Sequence, residues 1–386
     1  MINSRITKTA GLLATLLATV VLGTSTVLAA PTINQYKITT SGATPTNIVE
    51  GPSGNLWFTE QSTNKIGKIT PSGTVTEYTV PTASSGPTGI ALGSDGNIWF
   101  TEENTGKVGV FDIATSTFHE YLLGAATFPV GITSGPSNDL WVVEQDGLAV
   151  AQVNTSGSVV NTYSTNYGGN YIAEGPSGNL WITAGTHIIK MTPTGTETDY
   201  KITGTSPSAV GNITVGSNSN LWFADSTDNT IDEVTTSGTF TSFAVPTASS
   251  SPQFVVKGPD GNIWFTENTG NNVGSVTTSG TFATYSIPTA SSAPLGITAG
   301  PSNTLWFVES AAAANQVGEV TGISVPATTT SSTTSSTSSS STSAPNTGYG
   351  KPRQISSTIF VLGLLGGLAV LGGSGLLVKR ALSTRR

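Results

Sequence analysis

The sequence predicts an all-β protein whose main domain is a seven-bladed β-propeller built from four-stranded antiparallel blades. Its seven tryptophans follow one another at intervals of 42, 42, 40, 41, 42 and 42 residues: Trp57, Trp99, Trp141, Trp181, Trp222, Trp264 and Trp306. A period of this length, made of short β-rich runs and without the 3.6-residue periodicity of helical repeats, is typical of one propeller blade. A third observation is an unpaired strand at the N-terminus that matches a strand missing from the last repeat.

Each repeat has the same internal order. A glycine stands six residues before every tryptophan, and a β-branched residue stands nine before it. In the second repeat, residues 89–92 predict the innermost strand, and a Ser-Asp-Gly-Asn turn follows. Residues 98–102, 107–111 and 118–122 predict the other three strands, with the apolar alternation of half-buried sheets.

The tryptophans favour a structural role, because a large aromatic side chain at one position of every blade fills the space between neighbouring sheets. An aromatic platform for sugars is the alternative interpretation. The last repeat supplies three strands, ending near residues 317–320, and residues 33–39 resemble the fourth strand at residues 75–80. We therefore expect the N-terminal strand to complete the last blade and close the ring, which leaves no open sheet edge.

Both ends of the chain differ from the repeats. Residues 1–30 predict a signal peptide, with Arg5 and Lys8 before an apolar run and small residues at the end. The propeller is expected over residues 31–326, and a Ser/Thr-rich stalk without a core over residues 327–343. Residues 359–378 carry no charge and precede Lys379 and Arg380, which predicts a membrane-spanning helix with a basic cytoplasmic tail.

Upstream of this helix the chain reads Ala344-Pro345-Asn346-Thr347-Gly348. With the apolar span and the basic tail, residues 344–386 resemble the LPxTG-like sorting signal of sortase-anchored Gram-positive surface proteins. The resemblance implies cleavage between Thr347 and Gly348 by sortase and attachment to the cell wall; plain membrane anchoring is the alternative. Both interpretations predict an extracellular propeller.

The expected propeller domain is strongly acidic. It contains all 22 acidic residues and only seven lysines, no arginine, and hence a formal charge of about −15. Such a surface repels phosphate backbones, so nucleic acid is excluded as a partner. The chain has no cysteine, and its stability has to come from sheet packing instead of disulfides.

Three residues after the tryptophan, six of the seven repeats carry a carboxylate: Glu60, Glu102, Glu144, Asp225, Glu267 and Glu309. We expect these residues to lie on one face, around the mouth of the central channel. They would either accept hydrogen bonds from neighbouring groups or form a collar of ligands for Mg²⁺ or Ca²⁺, which prefer carboxylates. The fourth repeat has Ala184 at this place.

The innermost strand also breaks the symmetry. Three repeats have Gly89, Gly131 and Gly296 where the fourth to sixth have larger residues, Tyr171, Asn212 and Phe254, with Tyr167 and Gln253 nearby. Side chains that break the symmetry at a channel mouth are candidates for ligand contact. The alternative is that they fill the channel.

The repeat text Gly-Pro-Ser-Gly-Asn-Leu-Trp-Phe-Thr-Glu at residues 51–60 recurs almost unchanged at residues 258–267. From residue 31 to about 322 the repeat sequence resembles that of the virginiamycin B lyase (streptogramin lyase) family and, more distantly, that of other NHL-like propellers. The resemblance implies a ring in which lyase members open a cyclic depsipeptide by elimination, using a histidine base, carboxylates and Mg²⁺.

The chain has only His119 and His187. His119 is expected on an outermost strand, and His187 near the face where the turns between second and third strands lie, so His187 is the one catalytic candidate. Three functions remain open: a non-catalytic, monomeric module that binds a surface glycan, peptide or host molecule without a required cofactor; a metal-dependent lyase; and a structural surface component.

Overall fold

The computed structural model describes residues 30–124, 127–203 and 210–325, which form seven four-stranded sheets. This confirms the predicted seven-bladed propeller. The predicted signal peptide up to residue 29, the stalk, the sorting motif with Thr347 and Gly348, and the segment 359–378 lie outside the described residues. Within the described ranges, no helix combines the length and hydropathy needed to cross a membrane.

Strand β1 (Thr32–Lys37) precedes the first complete blade. Blade one contains β2 (Pro45–Glu50), β3 (Leu56–Glu60), β4 (Lys65–Ile69) and β5 (Val75–Thr79). Blade two contains β6 (Pro87–Leu92), β7 (Ile98–Glu102), β8 (Lys107–Asp112) and β9 (Thr117–Leu122). Blade three contains β10 (Pro129–Ser134), β11 (Leu140–Glu144), β12 (Ala149–Val153) and β13 (Val159–Ser164). Blade four contains β14 (Tyr171–Glu174), β15 (Leu180–Ala184), β16 (His187–Met191) and β17 (Glu197–Lys201).

Blade five contains β18 (Val210–Val215), β19 (Leu221–Asp225), β20 (Thr230–Val234) and β21 (Phe240–Ala244). Blade six contains β22 (Pro252–Lys257), β23 (Ile263–Glu267), β24 (Asn272–Val276) and β25 (Phe282–Ser286). Blade seven contains β26 (Pro294–Gly300), β27 (Thr304–Glu309) and β28 (Gln316–Thr321), and β1 is its fourth strand. Short 3₁₀ turns separate the first two strands of four blades: Pro52–Gly54, Pro136–Asn138, Pro176–Gly178 and Pro301–Asn303.

The N-terminal strand closes the ring as predicted. β1 pairs antiparallel with β28, from Thr32 opposite Thr321 to Lys37 opposite Gln316. Tyr36 on β1 stacks on Trp306 with ring centroids 5.6 Å apart. In each of the other six blades an aromatic residue of the fourth strand stacks on the tryptophan of its own blade in the same way. The N-terminal strand therefore supplies the seventh copy of a repeated packing unit.

All seven tryptophans are buried between neighbouring sheets, with at most 1% of their surface exposed. Trp57 packs on Ile98 and Phe100 of blade two, and Trp306 packs on blade one in the same way. The preceding glycine makes room for the indole: a Cβ on Gly51 would lie 2.6 Å from Cδ1 of Trp57. The structural interpretation of the tryptophans is the one that this geometry supports.

The strand order defines two faces. The first strand of a blade begins, and the second strand ends, at the same edge: Pro45 lies opposite Glu60, and Glu60 lies opposite Lys65. We call this edge the loop face. It carries the turns between second and third strands and the connections between blades, and any ligand that contacts the side chains at these turns approaches from it.

Candidate functional site

The innermost strands enclose an axial cavity of about 150 Å³, lined by one or two residues from every blade. Tyr171 of blade four and Phe254 of blade six meet edge-to-face in it, with ring centroids 5.2 Å apart. The amide nitrogen Nδ2 of Asn212 donates to the carbonyl oxygen of Val255 at 3.1 Å, so Asn212 links blades five and six. Two of the three predicted symmetry-breaking residues therefore narrow the channel, and the third holds two blades together.

A second cavity of about 350 Å³ lies over Tyr171, and we call it the mouth. Its lining comes from blades two to six: Thr88, Glu103, Val130, Gln145, Asn170, Tyr171, Val210 and Gln253. Tyr171 lines both cavities. Burial, assisted by the charge of Glu103, raises the pKa of Tyr171 to about 12, so the phenol is neutral and can donate a hydrogen bond.

Polar side chains at the mouth are held in place by one another. Oε2 of Glu103 accepts hydrogen bonds from Oγ1 of Thr88 at 2.8 Å and from Nε2 of Gln61 at 3.0 Å. Nε2 of Gln145 donates to Oδ1 of Asn170 at 2.5 Å. A carboxylate and a pair of amides therefore face the same cavity in fixed positions.

The predicted carboxylate series does not lie at the mouth. Glu60, Glu102, Glu267 and Glu309 have no exposed surface, Asp225 is 1% exposed and Glu144 is 4% exposed. Most are bonded within their own blade: Glu60 accepts from Thr63, Glu102 from Thr105, and Glu267 from Asn272. Tyr171 and Gln253, which the sequence singled out, do line the mouth. Glu103 and Gln145 were missed by one position, because they follow the last residue of the second strand.

In blades one and two the buried carboxylate has a second one beside it, on the fourth strand. Burial raises the pKa of Glu102 to about 7, and the charge of Glu120 adds to the rise. Burial and the charge of Glu77 raise the pKa of Glu60 to about 7 in the same way. Oε1 of Glu102 accepts no hydrogen bond from the described residues. Two carboxylates cannot hydrogen-bond to each other unless one is protonated, so Glu102 has to carry a proton to donate to Glu120.

The other members of the series differ in their partners. Burial raises the pKa of Glu144 and of Glu309, and for Glu309 a hydrogen bond from Gln35 at 2.6 Å opposes the rise. Oδ1 of Asp225 accepts from the backbone nitrogens of Thr227 and Asp228. In the part of the chain that the structure describes, no three histidine, aspartate or glutamate side chains lie close enough together to hold a metal ion. Five of the six carboxylates, all except Glu144, thus accept hydrogen bonds within their own blade in the described structure.

Neither histidine lines the mouth. His119 is exposed on β9, the outermost strand of blade two, where it lies opposite Val110. His187 begins β16, stacks on Tyr167 with ring centroids 3.9 Å apart, and exchanges a hydrogen bond with Thr186 through Nδ1. The mouth therefore lacks the imidazole that a histidine-based elimination requires.

Comparison with known proteins agrees with this fold. The model of the virginiamycin B lyase family matches residues 19–169 and 126–326. The solved structure of a virginiamycin B lyase from Staphylococcus aureus is 30% identical, covers 76% of this chain and 99% of its own, and has a TM-score of 0.71. A streptogramin B lyase structure is 28% identical, covers 75% of this chain and 97% of its own, with the same TM-score.

A more distant match is the extracellular domain of a hybrid two-component system from B. thetaiotaomicron. It is 17% identical, covers 75% of this chain and 41% of its own, and has a TM-score of 0.62. This likeness concerns the fold alone. Comparison with the curated proteins gives no match.

Proposed function

Because this chain belongs to the virginiamycin B lyase family and yet lines its mouth without a histidine, we propose that it is a non-catalytic recognition module. The ligand binds at the mouth on the loop face, over the neutral phenol of Tyr171. The propeller acts outside the cell, held at the surface by the C-terminal segment. The asymmetric lining of the mouth supports this proposal, since a ring of identical side chains could not orient a ligand.

The chemistry of the mouth suits a polar ligand that is neutral or cationic. Glu103 supplies the one carboxylate among the lining residues, Tyr171 supplies a phenol, and Gln145, Asn170 and Gln253 supply amides. These groups bind amide or hydroxyl ligands through hydrogen bonds, and Glu103 disfavours anions. A surface glycan, a peptide or a host protein offers such groups.

The test is binding to glycan and peptide arrays, followed by calorimetry on each hit. We expect Tyr171→Phe and Glu103→Gln to weaken binding at least tenfold, because each removes a group that faces the cavity. The matched control is Glu174→Gln, since Glu174 is exposed at the opposite end of the same strand as Tyr171. Equal affinity of the wild type and both mouth variants would refute the site.

Lyase activity is the second candidate, and the 28–30% identity to solved lyases favours it. One of the similar structures holds a catalytically inactive histidine-to-alanine variant of the Staphylococcus aureus enzyme with quinupristin. Incubation of the purified protein with quinupristin and Mg²⁺, followed by chromatography, tests this candidate. We expect no linear product; turnover that is lost in His187→Ala would refute the non-catalytic proposal.

Surface display is tested separately. Protease added to intact cells should degrade the propeller, and it should leave a cytoplasmic marker protein intact. Protection of the propeller until the cells are lysed would contradict the proposed location.

A further inference from the structure

Exposed apolar side chains are concentrated in one sector of the loop face. Of the seven large hydrophobic residues that are exposed in the described ranges, six lie between the end of blade two and the start of blade four. Val159 and Val160 begin β13 at the opposite edge, and the other four lie at the loop-face edge: Leu122, Phe128, Leu148 and Tyr167. Phe128, Leu148 and Tyr167 are 40%, 46% and 37% exposed. We call these three residues the apolar lip.

The apolar lip adjoins the mouth. The backbone nitrogen of Gln145 donates to the carbonyl oxygen of Phe128 at 2.9 Å, and the nitrogen of Leu148 donates to the carbonyl oxygen of Gln145 at 3.4 Å. A Cβ on Gly168, the residue after Tyr167, would lie 3.0 Å from the same carbonyl oxygen. The backbone of Gln145, which lines the mouth, therefore bonds to Phe128 and Leu148 and lies close to the residue after Tyr167.

Leu148 departs from a rule that other blades follow. Its φ is +45°, a left-handed conformation that is unfavourable for leucine. The residue before the third strand is also left-handed in five other blades, where it is Asn64, Gly106, Asn229, Asn271 or Asn315. Asparagine and glycine are the residues that tolerate this conformation best.

The asparagines at this position also fasten the turn. Nδ2 of Asn64 donates to the carbonyl oxygens of Val80 and Thr82, and Oδ1 accepts from the nitrogen of Ser85. Asn229 and Asn271 make the corresponding bonds. Leu148 can make none of them, and its side chain is half exposed. In blade three the turn thus has an unfavourable backbone conformation and lacks the asparagine hydrogen bonds that clamp it in other blades. In their place it exposes an apolar side chain.

The amides beside the lip are suited to a peptide group. Nε2 of Gln145 donates to Oδ1 of Asn170, and in the described part of the chain Oε1 of Gln145 and Nδ2 of Asn170 take no further hydrogen bond. One free acceptor and one free donor side by side match the N–H and C=O of an extended polypeptide.

The carboxylates near the apolar lip narrow the choice of ligand. Asp146 is exposed between Gln145 and Leu148 in the sequence, and Glu103 lies in the mouth. Carboxylates beside an apolar surface favour a lysine or arginine next to a large apolar side chain. A sugar stacks on aromatic faces and would use Phe128 and the one face of Tyr167 that His187 leaves open, but it would not use Leu148. An apolar side chain of a polypeptide packs on all three.

We propose that the apolar lip, together with Gln145 and Asn170, binds an extended polypeptide segment that carries a large apolar residue beside a basic one. This inference rests on the proposed recognition function and names its ligand class. The apolar side chain packs on Leu148 and Tyr167, the backbone pairs with the two amides, and the basic side chain faces Asp146 and Glu103.

The probe is an eight-residue capped peptide of alternating lysine and phenylalanine, labelled for fluorescence polarisation and titrated with the full chain. Two further peptides carry serine in place of phenylalanine, or glutamate in place of lysine. We expect each replacement to weaken binding at least tenfold. If the serine peptide binds with the same affinity as the lysine–phenylalanine peptide, the apolar lip has no role in binding. If the glutamate peptide binds with that same affinity, Asp146 and Glu103 have no role in selecting the ligand.

Leu148→Asn is the decisive variant, because it restores the residue that other blades have here. We expect peptide affinity to fall at least fivefold while the melting temperature rises, since the asparagine relieves the left-handed leucine and rebuilds the clamp. Loss of binding therefore cannot be attributed to misfolding. Val160→Thr is the matched control: Val160 is 47% exposed on β13 of the same blade, and the change should leave affinity unaltered.

Other outcomes separate this inference from the proposed function. If Leu148→Asn keeps full peptide affinity while Tyr171→Phe abolishes it, the lip is not the site but recognition at the mouth stands. If no peptide binds while a glycan binds in a Tyr171-dependent manner, the ligand class is wrong and the function stands. If Leu148→Asn instead converts a dimer to a monomer in light scattering, the lip binds a second copy of the chain and the inference fails.

Discussion

Replacing Glu102 by glutamine should make the unfolding free energy of the protein less dependent on pH. In the folded state burial raises the pKa of Glu102 to about 7, whereas the carboxyl group of the unfolded chain titrates near 4.5. As the pH rises from 4.5 towards 7, the unfolded chain loses this proton while the folded protein keeps it. The stability that the protonated carboxyl gives is therefore complete below pH 4.5 and is lost as the pH approaches and passes 7.

The size of this loss follows from the two pKa values. At about 1.36 kcal/mol per pKa unit, the rise from 4.5 to about 7 corresponds to roughly 3 kcal/mol of unfolding free energy, as an upper value for one carboxyl. Glutamine imitates the protonated carboxyl, because its amide donates to Glu120 and its oxygen accepts from Thr105. Glu102→Gln should match the wild type at pH 5 and exceed it by about 1–3 kcal/mol at pH 8.

The assay is urea unfolding at pH 5 and pH 8, followed by the fluorescence of the buried tryptophans. The matched control is Glu267→Gln, at the same position of blade six, where the fourth-strand residue is Thr284 instead of a carboxylate. A gain at pH 8 that is equal in both variants would show that the pair with Glu120 is not its cause. If the unfolding free energy of Glu102→Gln depends on pH as strongly as that of the wild type, Glu102 is not protonated in the folded state.

Three further predictions concern the ring. Trp181→Ala should cost about 3–5 kcal/mol of unfolding free energy, because it empties a buried space between blades four and five; an unchanged thermal melt would contradict this placement. Gly258→Ala should lower the melting temperature, since its Cβ would lie 2.3 Å from Cδ1 of Trp264, whereas Gly96→Ala places its Cβ in open space and tests the cost of positive φ alone. Deletion of residues 31–40 should expose the edge of β28 and cause aggregation in light scattering; a monomeric, fully stable product would disprove closure by β1.

Much of the fold could be predicted from the sequence because one constraint repeats in every blade. An indole between two sheets needs a glycine beside it, and this pair appears seven times at nearly constant spacing. Closure of the ring by β1 could also be predicted from the sequence, since Tyr36 occupies the position at which other blades have the aromatic residue that stacks on the tryptophan. Both features depend on local sequence patterns that recur, and a single chain contains enough copies to show them.

The candidate site was predicted less well, because it depends on which side chains a neighbouring strand covers. The carboxylates that end the second strands seemed exposed in the sequence, but Glu102 reaches Glu120 on the fourth strand and is buried. The next residue, Glu103, faces the mouth instead. Comparing the turns after the second strands blade by blade would have pointed to it, and also to Leu148 in place of asparagine.

Three deviations from the repeat lie in the neighbouring blades three and four, whereas Asn212 and Phe254 lie in blades five and six. Tyr171 replaces a small residue on the innermost strand of blade four, Ala184 replaces a carboxylate in the same blade, and Leu148 replaces an asparagine in blade three. Stability alone gives no reason for Leu148, since five other blades have asparagine or glycine at this place. Substitutions that abandon a stabilising residue are retained where they serve binding. The sector between blades three and four is therefore where recognition is expected, and Leu148→Asn should raise stability and reduce affinity together.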